Sequence, residues 1–433
     1  MSAPGPLDVE GLDVLDVMIV GAGPAGVAAA VALAARRPEL VRTGRLLCLD
    51  KARFPREKPC GGGLTGRAHL ALHELGLAVR VPAISCGTGR IVYGDRDRRV
   101  RLERAVDVIR RADFDADLVA QARARGVNII EGEGVESHRV DAASGTVEVR
   151  TTAGRTLRTR ILIAADGASS RIRDALTAGD PAAPARPLQL FKAEIPAPRP
   201  FPPEMIYDFS PMEEGLRGYV WLFPVSGDRL NVGAMHTPSV QTASRRLGGA
   251  EIVRILTRTL ARHGVALPAA RGWPAWPYAP RSRVAAPHVL CVGDAAGIDA
   301  LTGEGIAVGL EEGPLAAAAV CHALDSGDLS FAGYGQAIRR GVVGRELALD
   351  ARLGRMLYGG ERYRFWLSLV MFDRRMTELY AARVCGSTVL ADRPLRLGAA
   401  LARHALTAPL RLRRLSRAAR VLAEPSATPS VVA

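Results

Sequence analysis

The chain has 433 residues, of which 48% are hydrophobic and 24% charged, the balance of a globular protein long enough for two or three lobes. Its formal charge of +14 is almost entirely arginine, with lysine only at Lys51, Lys58 and Lys192. Together with abundant Ala, Gly and Pro, this bias reads as genome composition; no basic stripe with interleaved aromatics marks a nucleic-acid surface before the C-terminal tail, and no uninterrupted apolar run reaches the roughly 18 residues of a membrane span.

The start, MSAPGPLDVEGLDVLD, is acidic and lacks the apolar core of a secretion signal. Cys48, Cys60, Cys86, Cys291, Cys321 and Cys385 form no CxxC pair or zinc spacing. His69, His73, His236, His263 and His288 form no metal-like spacing either. A reduced, cytoplasmic protein without a metal is the expectation.

In chain order, residues 17–20 are an apolar run before glycines, which predicts a buried parallel strand. Residues 27–35 are alanine-rich and predict the following helix, and 45–50, RLLCLD, the second strand. A helix is expected over 113–125, with Asp113 as its N-cap. Strands are expected at 127–131, 147–151 and 159–165. Beyond about residue 180 the texture changes to proline-rich connectors, PAAPARP and PAPRPFPP, and alternating strands. The strands at 218–223 and 230–235 are joined by the turn SGD. The parallel pattern returns at 288–292, and from about 310 the chain reads as helical.

The fold class is therefore α/β, and α+β overall: a Rossmann-like domain, an inserted antiparallel sheet and a C-terminal helical region. The expected boundaries are 12–180 (with an excursion into the inserted domain near 80–105), 181–284, 285–330 and 331–433, ending in a disordered tail.

Gly21-Ala22-Gly23-Pro24-Ala25-Gly26 fits G-x-G-x-x-G between a strand and a helix, the context this motif needs. Gly21 allows the tight turn, Gly23 lets the backbone approach a pyrophosphate, and Gly26 permits close helix packing. The helix N-terminus then offers free N–H groups to the phosphates. Asp50, ending the second strand and followed by Lys51, can accept ribose hydroxyls; Arg36-Arg37-Pro38 and Arg42-Thr43-Gly44 lengthen the connection to it. Far downstream, Gly293-Asp294 follows the strand VLCV, and the N–H groups around Gly303-Glu304-Gly305-Ile306 can face a flavin ring and stabilise negative charge on it. Only a long dinucleotide touches such remote points, and FAD is that size.

The four motifs in this order resemble FAD enzymes of the hydroxylase-type, glutathione-reductase-like fold. FPREKPCGGGLTGRA, GYVWLFPVSGDRLNVGA and GDAAGIDALTGEGI more narrowly resemble the geranylgeranyl reductase family, from about Asp16 to Glu312. The resemblance implies cofactor contacts at Gly21, Gly23, Pro24, Ala25, Gly26, Asp50, Lys51 and Arg111. It adds Asp166 and Gly167 with Ser169, Ser170 and Arg171, then Gly293, Asp294, Gly303, Glu304, Gly305 and Ile306. It also implies that Cys60, Gly61 and Gly62, within Lys58–Gly63, lie beside the isoalloxazine, and that Tyr219, Trp221 and Phe223 before Pro224 line the substrate cavity. Ala300, where the family commonly has proline, is a departure.

Tyr219, Trp221 and Phe223 alternate on a strand, so their rings share one face, as an isoprenoid wall would need. Cys60 before three glycines could orient or protonate a substrate, and Lys58 could neutralise a phosphate on a substrate or cofactor; Cys60, Tyr219 and Trp221 are the candidate catalytic residues, and Lys58, Tyr219, Trp221 and Phe223 the candidate substrate-binding ones. With no second G-x-G-x-x-G, NAD(P)H or a reduced protein donor must visit the flavin transiently. The expectation is FAD-dependent reduction of C=C bonds in a polyprenyl or other lipid, with an FAD monooxygenase of specialised metabolism as the alternative. The tail, RPLRLGAALARHALTAPLRLRRLSRAARVLA, mixes leucine with arginine, as an interfacial helix does, and Pro409 is expected to break it into two helices. Peripheral contact at the inner face of the membrane is the corresponding partner, beside the lipid substrate; no nucleic acid is expected.

Overall fold

Apolar runs buried on both sides build the first of two units. The computed structural model describes residues 14–198, 200–238 and 247–423, so most of the acidic start and the tail expected to lack structure lie outside the described residues. One unit comprises Met1–Ala83, Asp107–Gln189 and Trp273–Leu353, the other Ile84–Val106, Leu190–Gly272 and Gly354–Ala433. The helical region expected as one block over 331–433 is thus divided. Its first part joins the first unit because Ile338, Val343 and Leu347 enter that unit's core.

In the first unit five parallel strands stand in the order Val289–Cys291, Thr156–Ala164, Leu15–Val20, Leu46–Asp50 and Asn128–Glu131. Leu15–Val20 and Leu46–Asp50 are buried throughout, which explains their apolar character apart from Asp16, paired with Arg160, and the terminal Asp50. The chain builds outward on one side of Leu15–Val20 and then returns to the other, so the direction of winding switches beside that strand. Ligands bind at such a switch, outside the carboxyl ends of the strands. The four sequence motifs follow four of these strand ends and so share one edge of the sheet.

Two helices cover one face. Pro24–Arg36 is PAGVAAAVALAAR, and Ile306–Ser326 begins IAVGLEEGPLAAAA. Small residues let their axes close in. A Cβ on Gly309 would stand 2.9 Å from Cβ of Ala25, and one on Gly313 2.5 Å from Cβ of Ala28. Contacts that advance together along both chains mean that the helices run parallel, with their N-termini at the same end.

The helix expected over 113–125 runs Arg111–Arg123, and its N-cap is Arg110, without a side-chain cap. Asp113 lies inside the first turn. Starting two residues earlier puts Arg111 and Asp115 one turn apart, where they form a buried ion pair.

In the second unit Gly218–Val225 and Arg229–His236 form the expected hairpin, with Asp228 in its turn at φ 51°. Glu204–Asp208 pairs antiparallel with Gly218–Val225 but parallel with Ala83–Tyr93. The sheet is therefore not purely antiparallel: these last two strands come from distant stretches of chain, and no tight turn dictates their direction. Helix Gly249–Arg262 buries Ile252, Ile255, Leu256 and Leu260 against Val220, Leu222, Val232 and Ala234. The tail is one helix, Pro394–Ala423, not two, with Pro409 inside it. Pro409 is exposed, and Ala400, His404, Ala408, Leu415 and Ala418 stay buried on the opposite face. Docking along that whole face offsets the hydrogen bond lost at the proline.

Gly313→Val should lower stability by about 2 kcal/mol or more, because backbone atoms of the first helix already occupy the space. Gly398→Ala, where a Cβ meets nothing within 4 Å, should raise it by roughly 0.5–1 kcal/mol. Urea denaturation of both variants measures the contrast.

Candidate cofactor and active site

The glycine loop is shaped by two different demands. A Cβ on Gly21 would stand 2.3 Å from the Ala165 carbonyl oxygen, and one on Gly26 1.8 Å from that of Gly21, so the protein's own backbone requires both glycines. Gly23 differs: the nearest atom to its Cβ position is Nη2 of Arg56, at 3.4 Å. The fold leaves that space open, and a pyrophosphate fits it. Gly23 N-caps the Pro24–Arg36 helix without a side-chain bond, and Gly305 does the same for Ile306–Ser326. Two parallel helices thus present uncapped N–H groups and positive dipole ends at one edge of the sheet.

Asp50 is buried at the end of its strand. Its Oδ2 accepts the Ala22 N–H at 2.8 Å and its Oδ1 the Ala52 N–H at 2.9 Å, which fixes the carboxylate beside the glycine loop. The neighbouring Lys51 is exposed. Asp166 follows the Thr156–Ala164 strand; its Oδ1 is buried without a hydrogen-bond partner, and burial pushes the carboxyl up to about 6. Gly167, at φ 83°, makes the turn beside it. Ser170 is a structural cap, accepting the Arg173 N–H at 3.0 Å.

Gly293, at φ 62°, donates its N–H to Oε2 of Glu312 at 2.6 Å. Glu312 is fully buried and its Oε1 has no hydrogen-bond partner; burial pushes this carboxyl up to about 8. Asp294 next to it ion-pairs with Nζ of Lys58 at 3.3 Å. Lys58, the candidate for a substrate or cofactor phosphate, thus stands beside two of the expected cofactor residues, its Nζ also 3.5 Å from the Cβ position of Gly167.

Side-chain hydrogen bonds brace the segment 299–306. Asp299, fully buried, accepts the Leu301 N–H at 2.6 Å and the Thr302 N–H at 3.0 Å, and Gly303 turns at φ 75°. The Glu304 side chain is not idle. Thr65 Oγ1 donates to its Oε1 at 2.6 Å, and Arg67 lies 3.5 Å from its Oε2 while also bonding Glu311. Thr65 also caps its own helix by accepting the Ala68 N–H. Glu304 therefore ties the turn before Ile306 to the segment just after Cys60–Gly63. The sequence expectation assigned this position mainly to its backbone.

Cys60 is partly exposed, and its Sγ accepts the Gly62 N–H at 3.4 Å. Gly62, at φ 78°, packs against the Ile109 carbonyl. Arg111 pairs through Nε and Nη2 with Asp115, at 2.8 Å each, and also bonds Cys60. Burial opposes its charge, but Asp115 and Cys60 hold its pKa above the ordinary value. Arg56 joins the same carboxylate at 3.2 Å, so one buried Asp115 anchors two guanidinium groups. Arg56, over the Phe54 ring and beside Gly23, is the residue that motif reading missed. Its signal was present in FPREKPC, as a second basic residue two positions before Lys58.

In the second unit Tyr219, Trp221 and Phe223 lie buried in one row, with neighbouring centroids 6.3 and 6.4 Å apart. Tyr207 extends the row, 5.4 Å from Tyr219 and 5.2 Å from Phe223. Trp221 Nε1 donates to Asn231 Oδ1 at 3.0 Å, and its ring lies over Gly233, where a Cβ would come within 2.2 Å. The hydrogen bond orients the indole, and Gly233 leaves it room.

The FAD binding domain family matches residues 14–324. Menaquinone reductase of Mycobacterium tuberculosis (strain ATCC 25618 / H37Rv) is 31% identical over 361 residues, covering 73% of this chain and 78% of that one. Geranylgeranyl diphosphate reductase of Synechocystis sp. is 26% identical over 326 residues, covering 68% and 72%. Among solved structures, a geranylgeranyl bacteriochlorophyll reductase-like protein of Thermoplasma acidophilum superposes with a TM-score of 0.65 at 21% identity, over 93% of this chain and 99% of that one.

Gly23→Ala should cut FAD retention at least about tenfold, because the added methyl enters space the protein leaves open. The thermal midpoint measured without added flavin should stay near wild type, and visible absorbance of the purified protein reads the loss. Glu312→Gln tests the buried acid. Glu312 binds its proton more tightly folded than unfolded, so its contribution is complete below its unfolded pKa near 4.5 and is lost as pH rises towards about 8. Between pH 5.5 and 8, urea denaturation should show wild type losing up to roughly 3 kcal/mol more than the glutamine variant.

Proposed function

Because the chain belongs to the geranylgeranyl reductase family of FAD-dependent oxidoreductases, we propose that it saturates C=C bonds in the isoprenoid chain of a lipid. The observation that carries this reading is the row Tyr219, Trp221 and Phe223, with Tyr207: an apolar surface several rings long, its indole oriented by Asn231. The relatives support it, since one is named for geranylgeranyl diphosphate and another for menaquinone.

An isolated alkene has no carbonyl to polarise, so alignment and exclusion of water must supply much of the rate. When bound, reduced FAD supplies a hydride to one alkene carbon, and the other carbon takes a proton. In this reading Gly23 and the two uncapped helix ends hold the pyrophosphate and the ring edge, with Arg56 neutralising phosphate charge. Asp50 takes the ribose and Asp294, steadied by Lys58, the ribityl chain. Cys60 is the proposed proton donor: its thiol is partly exposed and oriented by Arg111 and Gly62. Tyr219, Trp221 and Phe223 bind the isoprenoid chain. NAD(P)H or a reduced protein is the proposed transient donor. The enzyme is placed in the cytoplasm, meeting its substrate at the inner face of the membrane. Among the described residues no helix is long and apolar enough to cross it.

Mixing the chemically reduced enzyme anaerobically with geranylgeranyl diphosphate or a geranylgeranylated lipid should reoxidise the flavin and yield products heavier by pairs of hydrogens. Stopped-flow absorbance and mass spectrometry check this. No reoxidation until oxygen is admitted, followed by a transient oxygen adduct, overturns the reading in favour of a monooxygenase.

A further inference from the structure

The Pro394–Ala423 helix has two faces of opposite character. Inward lie Ala400, His404, Ala408, Leu415 and Ala418. The His404 ring nitrogen pairs with the Phe365 carbonyl at 2.9 Å, and Arg411 pairs with Asp373 at 3.3 Å. These contacts fix which side turns out. On that outer side Leu395 is 88% exposed, Leu406 84% and Leu410 64%. Leu395, Ala399, Ala402, Leu406 and Leu410 recur at steps of three and four, so they form one stripe. The helix carries seven arginines and no acidic residue. Arg396 and Arg414 flank the leucine stripe, while Arg413 and Arg417 continue its line; all four are exposed.

We infer that this outer face docks on an anionic lipid bilayer, with Leu395, Leu406 and Leu410 entering the acyl boundary and the arginines held at headgroup phosphates. Charge decides the occupant. A second copy related by two-fold symmetry would set arginine against arginine with no carboxylate on either helix to pair them. A bilayer offers both halves of the match, apolar depth for leucine and negative charge at the surface for arginine. Leucine residues exposed to this degree contribute little to the helix's own docking. The inference adds to the proposed lipid chemistry without resting on it.

The full-length holoenzyme should co-sediment with vesicles of phosphatidylcholine and phosphatidylglycerol, bind phosphatidylcholine alone much more weakly, and be released by high salt. The triple variant Leu395→Ser, Leu406→Ser, Leu410→Ser should keep its flavin and thermal midpoint yet lose sedimentation at least about fivefold. Flavin reoxidation with detergent-dispersed substrate should match wild type, so a failed reductase reading would show in that assay and a failed docking surface in the sedimentation. Equal sedimentation of the triple variant and wild type, or no preference for the anionic vesicles, overturns the inference. So does a wild-type dimer, seen by light scattering, that the triple variant converts to monomer, because the face would then belong to a second copy.

Discussion

The first unit depends on one contact, the parallel packing of Pro24–Arg36 on Ile306–Ser326 through glycine and alanine. With larger side chains at Gly309 or Gly313 the helices would stand further apart, and their N-termini would no longer open side by side at the strand ends. A cofactor with an anionic pyrophosphate and an electron-accepting ring needs positive potential at two places. Two uncapped helix ends supply it from backbone alone, without titratable groups. The small-residue contact is thus both packing and electrostatics: the feature that lets the helices approach also sets the spacing of the dipoles.

Around those helix ends the charged side chains are anchored rather than loose. Asp115 holds Arg56 and Arg111, Lys58 is set against Asp294, and Glu304 is bound by Thr65 and Arg67. Each pair limits the positions its members can take. Two acids behave differently: Asp166 and the fully buried Glu312 each keep one oxygen unpaired, and burial raises both carboxyls. Glu312, pushed up to about 8, is largely neutral near pH 7, which leaves one negative charge fewer in a region that receives a phosphate and a reduced ring.

What could be read from the sequence divides along the same line. The glycine turns, Asp50 and the GD motif were legible because each is a local demand of the backbone, written in consecutive residues next to a strand. The alternation of Tyr219, Trp221 and Phe223 was legible for the same reason. Arg56, the Glu304 tie and the Lys58–Asp294 pair were not, since each depends on segments brought together by the sheet order; Lys58 and Asp294 are 236 residues apart. Asp113 taken alone suits a cap, but the helix begins at Arg111, where the i,i+4 pair of Arg111 and Asp115 forms. Pro409 breaks the local pattern but not the helix, because burial along the rest of that helix offsets one missing hydrogen bond.

The substrate half is less legible for a physical reason. Binding FAD requires specific donors at fixed points, which leave motifs; binding an isoprenoid chain requires only apolar area of the right shape, and many side chains provide that. The informative residues are then the ones that hold the apolar wall still. Asn231 serves this purpose by accepting the indole N–H, and Gly233 makes room for the ring by having no side chain. A core tryptophan needs burial alone, whereas an indole hydrogen-bonded to Asn231 keeps a defined orientation for a flexible chain to lie against. Pre-organisation of this kind lowers the entropy lost on binding and favours one alignment of the reacting carbons. An alkene without a polarising group has few other sources of selectivity, so the wall's rigidity is part of the proposed chemistry.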